Sequence, residues 1–273
     1  MPRYGMVVDV TKCDGCYNCF IACKDEHCNQ EKKGYAAPQP MTGQFWLKII
    51  GKERGQYPKV KQDYIALTCM HCENPACITA GDGAVYKRDD GIVIIDPEKA
   101  KGRKDIVSKC PYRVIYWNEE EQLPQKCTFC AHLLDAGWKE PRCVEACPTG
   151  ALIFGDLDDP ESAVSKAMKS AQAMHPEYNL GENVKFIGLP KNFVAGSVVF
   201  ADTDECAKDV TVTLAGEDDT KTVKTDGFGD FEFEDLPDNK TYKVTVSAPG
   251  YKTQECEVKT YKSLNLGDIF LEK

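Results

Sequence analysis

The chain has 273 residues, 42% hydrophobic and 28% charged, the ordinary balance of a globular protein with room for two cores. Its formal net charge of −9 argues against nucleic acid as a partner. No apolar run approaches the length of about 18 residues that a membrane span needs, so no direct membrane span is expected.

In chain order, the opening MPRYGMVVDVTKCDGC reaches a cysteine motif with no apolar stretch of the signal-peptide kind. A cytoplasmic location is therefore expected. Fifteen cysteines, thirteen of them before residue 148, then favour metal over disulfides. The first group, CDGCYNCFIAC, sets Cys13, Cys16, Cys19 and Cys23 at gaps of two, two and three residues. That is the bacterial ferredoxin run without its trailing proline. The second group, CMHCENPAC, holds Cys69, Cys72 and Cys77. A third stretch, DPEKAKGRKDIVSKCPY, ends in Cys110-Pro111, as such a run closes, but has Ala100, Arg103 and Ile106 where three cysteines belong. The fourth group supplies Cys127, Cys130, Cys143 and Cys147, followed by Pro148.

Residues 1–155 thus read as a ferredoxin-like domain of two interleaved modules, dense in turns. Residues 156–195 read as a connector. Asp159 is expected to cap a helix beginning at Pro160, and KFIGLPKNFVAG to run extended along another surface. From Gly196 the pattern becomes period two. Seven strand-like stretches, from GSVVFA to LGDIFLE, alternate with turn clusters, which predicts a seven-stranded β-sandwich over 196–273. This tail carries 9 Lys/Arg against 17 Asp/Glu, while residues 1–195 carry 25 against 26. It is a compositionally separate unit with no catalytic constellation. The fold class expected is α+β.

Gaps of two residues let a tight loop aim successive thiolates at one cube of iron and sulfide, with backbone N–H groups facing the sulfurs. The fourth cysteine of such a run reaches a different cluster. Applied here, that exchange pairs the first and fourth groups. Cluster A takes Cys13, Cys16, Cys19 and Cys147; cluster B takes Cys127, Cys130, Cys143 and Cys23. The second and third groups give cluster C, with Cys69, Cys72, Cys77 and Cys110. A fourth cluster would need cysteines at 100, 103, 106 and 81; Ala100, Arg103, Ile106 and Gly81 stand there. All four ligands of one cluster are missing together, which explains why Cys110 persists alone in its stretch. Three [4Fe–4S] clusters are expected, with Cys28, Cys206 and Cys256 left over. Cys28 is read as a bystander, and Cys206 and Cys256 as buried thiols, a disulfide between them being the alternative.

A zinc ribbon has no use for a four-cysteine run of this spacing. His71 and His132, beside ligands, are candidates for hydrogen bonds to a cluster; the plainer reading is structural, as it is for His27 and His175. Lys24, Arg113 and Lys126 flank ligands and read as solvated charges. No phosphate loop, nucleophile elbow or paired carboxylates are present, so no catalytic residue or substrate site is expected on this chain. A cubane with four cysteine ligands has no open iron position and moves single electrons.

The order of groups, with CMHCENPAC, YKRDDGIVIIDPEKA, CPY, LPQKCTFCAHLLDAGW and PRCVEACPTGAL, resembles the iron–sulfur subunit of dimethyl-sulfoxide-reductase-family molybdenum enzymes. The resemblance spans residues 3–195. It implies docking on a large catalytic subunit that carries molybdopterin guanine dinucleotide. Family members hold four clusters; the departures at Gly81, Ala100, Arg103 and Ile106 leave three here. The stretch TDGFGDFEFEDLPDNKTYKVTVSAPGY resembles the carboxypeptidase-regulatory, transthyretin-like sandwich. A hydroxyl-transferring molybdenum enzyme, an electron wire in a reductase or dehydrogenase, and a free-standing polyferredoxin remain as roles.

Overall fold

The structure is a computed structural model that describes residues 2–217 and 219–273. It divides into two compact units, 1–51 with 63–189, and 52–62 with 190–273.

The first unit is built on strand β1 (Tyr4–Asp9), whose sequence YGMVVD is apolar on both faces. Met6, Val7 and Val8 are accordingly buried, as expected of a central strand. Helix α1 (Asn18–His27) follows the first cysteines. Next come β2 (Lys48–Gln56) and β3 (Lys59–Leu67), a hairpin whose tip counts with the second unit. Helix α2 (Ala76–Gly81), the pair β4 (Val85–Lys87) and β5 (Val93–Ile95), and the pair β6 (Tyr116–Asn118) and β7 (Leu123–Gln125) come next. Short helices α3 (Ala131–Asp135) and α4 (Arg142–Glu145) carry the last cysteine group. Strand β8 (Leu152–Asp156) returns antiparallel to β1, pairing Val8 with Leu152 and Tyr4 with Asp156. Helix α5 (Ala163–Met168) leads on to β9 (Val184–Ile187), which lies parallel to β1 on its other edge.

Two expectations change here. The residues after 155 do not form a separate connector, because β9 completes the sheet and Asn183 donates its backbone N–H to Met70. The helix also starts later than Pro160. Ser162 is its N-cap, its hydroxyl accepting from the Ser165 N–H, while the Asp159 carboxylate closes a turn on the Glu161 N–H. The helix ends at Met168, short of Met174.

The second unit contains β10 (Asn192–Phe200), β11 (Glu205–Cys206), β12 (Thr211–Ala215), β13 (Thr220–Lys224), β14 (Asp230–Leu236), β15 (Thr241–Ser247), β16 (Gln254–Lys259) and β17 (Leu264–Leu271). One four-stranded sheet centres on β10, with β17 parallel along one edge and β14 and β11 antiparallel along the other. The second runs β13-β12-β15-β16. The period-two pattern explains the core. Phe231 and Phe233 of β14 point inward, as do Tyr242, Val244 and Val246 of β15, and they share one apolar cluster with Val194, Val198, Val212 and Leu214. Each of the seven expected strands is present. The eighth, β11, is only two residues long, too short to leave an alternating pattern. The unit also starts at residue 190, ahead of Gly196.

Cys206 and Cys256 are exposed, not buried, and both are free thiols. Both lie on edge strands, and on β16 it is Val258 that faces the core. The alternating Glu232 and Glu234 of β14 face outward and pair with Lys61; Lys59 pairs with Asp230. These partly exposed pairs contribute far less than the inward aromatics. Phe233→Ala is expected to cost about 3–5 kcal/mol, against at most about 1 kcal/mol for Lys61→Ala, both read by urea denaturation.

Candidate functional site

The cysteine loops share one backbone device. Two residues after the leading cysteine, the chain turns through positive φ: Gly15 at 72°, His71 at 44° and Phe129 at 51°. That turn brings the N–H of residue i+2 to the sulfur of residue i. His71 N–H reaches Cys69 Sγ at 3.5 Å, and Phe129 N–H reaches Cys127 Sγ at 3.3 Å. At Cys13, whose thiol burial raises, the Gly15 backbone acts to lower it. Left-handed backbone is free for glycine but costs on the order of 1 kcal/mol or more at His71 and Phe129. Gly15 has a second reason, since a Cβ there would sit 2.7 Å from the Tyr64 ring.

The loops and strands gather the cysteines into three sets. Cys13, Cys16, Cys19 and Cys147 border one cavity with Val8, Ala66 and Leu152. The β1–β8 pairing makes this possible, because it lays the start of the first run beside the end of the last. Cys69, Cys72, Cys77 and Cys110 border a second cavity with Val93, Tyr112, Ile115 and Lys126. Cys23, Cys127, Cys130 and Cys143 form a third set, all buried. Burial raises the Cys23 thiol, and the charges of Cys127 and Cys130 raise it further. Burial likewise raises Cys143, with contributions from Cys130, Cys127 and Cys23. Cys143 also feels Cys19 of the first set, and Cys127 feels Cys69 of the other. The buried set therefore stands between the two.

Burial also pushes Cys19 and Cys130 up to about 12, and Cys77 to about 11, the last against the pull of Lys126. Thiols so placed ionise only when positive charge is brought to them. Cys147 is the exception. Burial raises it, but the Leu152 N–H, the Thr149 hydroxyl and the N–H groups of Ala151 and Thr149 outweigh that and leave it lowered. A single zinc would draw four thiolates to about 2.3 Å of one centre. Four sulfurs around an apolar cavity, with N–H groups aimed at them, fit a polynuclear iron–sulfide core.

The four departures from the motif also meet in space. Ala100 and Ile106 are fully buried in one apolar cluster with Cys77, Val85, Val93 and Ile95. The Arg103 guanidinium donates to the carbonyls of Ala80 and Gly81 at the end of α2. At Gly81 a Cβ would lie 2.6 Å from Val85 Cγ2. Two of the four departures are thus part of an apolar cluster, and Arg103 ties itself to the carbonyl of a third, Gly81. Gly81→Ala is expected to destabilise the protein by about 1–3 kcal/mol. Combined with Val85→Ala, it should cost less than the sum of the two, by thermal denaturation.

His71 is fully buried and accepts the Val93 N–H on Nδ1 at 3.0 Å, which leaves its proton on Nε2; its ring stacks on Phe129 at 3.8 Å. His132 faces Glu26 at 2.9 Å, and His175 faces Glu177 at 3.0 Å. His27, read as structural, has Nε2 3.6 Å from Cys130 Sγ. Cys28 joins none of the three sets; its Sγ lies 3.7 Å from Met41 Sδ. Lys126 is the main correction: it is only 2% exposed, not solvated. Nothing in the sequence around it marked that burial.

Comparison with known proteins agrees with this geometry. The 4Fe-4S dicluster domain family matches residues 60–157, and the carboxypeptidase regulatory-like domain family matches residues 194–269. The pyrogallol hydroxytransferase small subunit of Pelobacter acidigallici is 43% identical over 99% of this chain and 100% of its own length. A tetrathionate reductase subunit of Salmonella typhimurium is 34% identical over 70% of this chain and 75% of its own. This protein belongs to the iron–sulfur subunits of the dimethyl-sulfoxide-reductase family of molybdenum enzymes. A polysulfide reductase polypeptide of Wolinella succinogenes is 32% identical over 69% of this chain and 94% of its own. The two reductase components leave nearly a third of this chain unmatched, whereas the hydroxytransferase subunit matches almost all of it. As a family member, the protein is an electron-transfer subunit that holds [4Fe–4S] clusters, and a catalytic partner is implied. Among the described residues, no helix is long and apolar enough to cross a membrane.

Proposed function

We propose that this chain holds three [4Fe–4S] clusters and serves as the small subunit of a cytoplasmic molybdenum hydroxytransferase of the pyrogallol type. Cluster A is bound by Cys13, Cys16, Cys19 and Cys147. Cluster B is bound by Cys127, Cys130, Cys143 and Cys23, and cluster C by Cys69, Cys72, Cys77 and Cys110. What supports the count is the way the cysteines group in space. Each set draws one cysteine from a distant run; of the four positions a fourth set would use, Ala100 and Ile106 are buried in an apolar cluster, while the Arg103 guanidinium donates to the carbonyls of Ala80 and Gly81. What favours the hydroxytransferase is the match over nearly the whole chain, C-terminal sheets included.

Bound clusters supply one-electron transfer. The chain's own groups hold the thiolates in place, aim N–H donors at them and exclude water from the buried middle set. Molybdopterin guanine dinucleotide belongs, in this reading, to the large partner subunit. Moving a hydroxyl between phenols consumes no net electrons, so the clusters set or reset the molybdenum oxidation state.

The exchange makes a specific forecast for iron content. The purified complex is expected to hold about twelve iron atoms per copy of this chain, with molybdenum only in the partner. Cys110→Ser should remove about four of them and leave the clusters of the first and fourth groups intact by electron paramagnetic resonance (EPR). Loss of signals belonging to the other sets would break the assignment. Steady cluster turnover with an external donor or acceptor would instead select a reductase or dehydrogenase. Purification as a stable monomer would select a free-standing polyferredoxin.

A further inference from the structure

Lys126 immediately precedes Cys127 yet is buried, and its side chain lines the cavity bordered by Cys69, Cys72, Cys77 and Cys110. Its Nζ donates to two backbone carbonyls, those of Val93 and of Cys127, the latter at 3.0 Å. Among the described residues it has no carboxylate partner within ion-pair distance. Glu182, the buried carboxylate near this cavity, instead accepts a hydrogen bond from the Tyr112 hydroxyl. Lys109 also lines the cavity, but it is exposed.

A buried ammonium held only by carbonyls is costly unless other charge offsets it. Two sources of negative charge flank this one. Cys127 belongs to the middle set, and the cavity that Lys126 lines belongs to the neighbouring set. A cubane with four thiolates carries a net charge of about −2 when oxidised, and one more negative charge when reduced. A fixed cation between two such groups favours the reduced form of both.

We propose that Lys126 is the shared internal counter-cation of clusters B and C, and that its charge holds the potentials of both above those their thiolates alone would set. Lys126 is therefore a positioning group for electrons that touches no substrate. The inference rests on the three-cluster reading and adds to it the relative order of potentials. Cluster A, bordered by no such lysine, stays independent of residue 126.

The test is an EPR-monitored redox titration of the intact complex, as wild type, Lys126→Met and Lys126→Arg, with iron analysis of each. Signals are assigned by their loss in Cys110→Ser and Cys16→Ser. Lys126→Met should shift clusters B and C to lower potential and leave A in place; Lys126→Arg should restore both toward wild type. Unchanged potentials in Lys126→Met at full iron content would overturn the proposal, as would an equal shift in all three clusters. If Lys126→Met loses iron, the wild-type complex labelled with 15N-lysine decides. Pulsed electron–nuclear double resonance should then detect a lysine nitrogen coupled to reduced B and C, and no such coupling overturns the proposal. An iron content other than about twelve in the wild type would instead undo the three-cluster reading.

Discussion

Cys147 must stand with Cys13, Cys16 and Cys19, although it comes from the opposite end of the first unit's cysteine sequence. That one requirement organises the unit. β8 leaves Cys147 within a few residues and pairs antiparallel with β1, which in turn ends just before Cys13. Helix α1 then carries Cys23 down to the buried set, where α4 delivers Cys143. Under the proposed exchange of thiolates, neither the first nor the last run of cysteines completes a set of four alone, because each takes its fourth sulfur from the other. Cluster assembly and chain folding become a single problem.

The electrostatics follow from the same arrangement. The middle set is buried, which raises its thiols; on Cys127 the Thr68 hydroxyl, the Phe129 N–H and Lys126 act in the opposite direction. The outer set at Cys13 is more open, with Cys16 exposed and Cys147 held low by three N–H groups and a hydroxyl. The positive φ at His71 and Phe129 shows the backbone accepting strain to aim those donors. At the departures from the motif the side chains behave differently: Ala100 and Ile106 pack as ordinary apolar residues, and Arg103 turns to helix carbonyls.

The cysteine groups were visible in the sequence as gaps of two and three residues on local loops, the spacing cluster chemistry favours. The strands of the second unit were legible because one face is wet and the other dry, giving Phe231 and Phe233 between acidic neighbours. Other features were not legible, for physical reasons. Strand β9 pairs parallel with β1 across most of the chain, and such a partner leaves no local signal. The hairpin β2–β3 carries KIIGKERGQ, mostly polar and without clean alternation. Cys206 and Cys256 look like core thiols until the strand edges are known. Lys126 is indistinguishable from a surface lysine until Val93 and Cys127 close over it.

Anomalous diffraction at the iron edge, on crystals of the iron-loaded complex, tests the exchange of thiolates most directly. Three iron cores are expected within this chain, with Cys147 Sγ bound to the core of Cys13 and Cys23 Sγ bound to the core of Cys127. An iron core beside Ile106, or Cys147 bound to the core of Cys127 and Cys130, would contradict it.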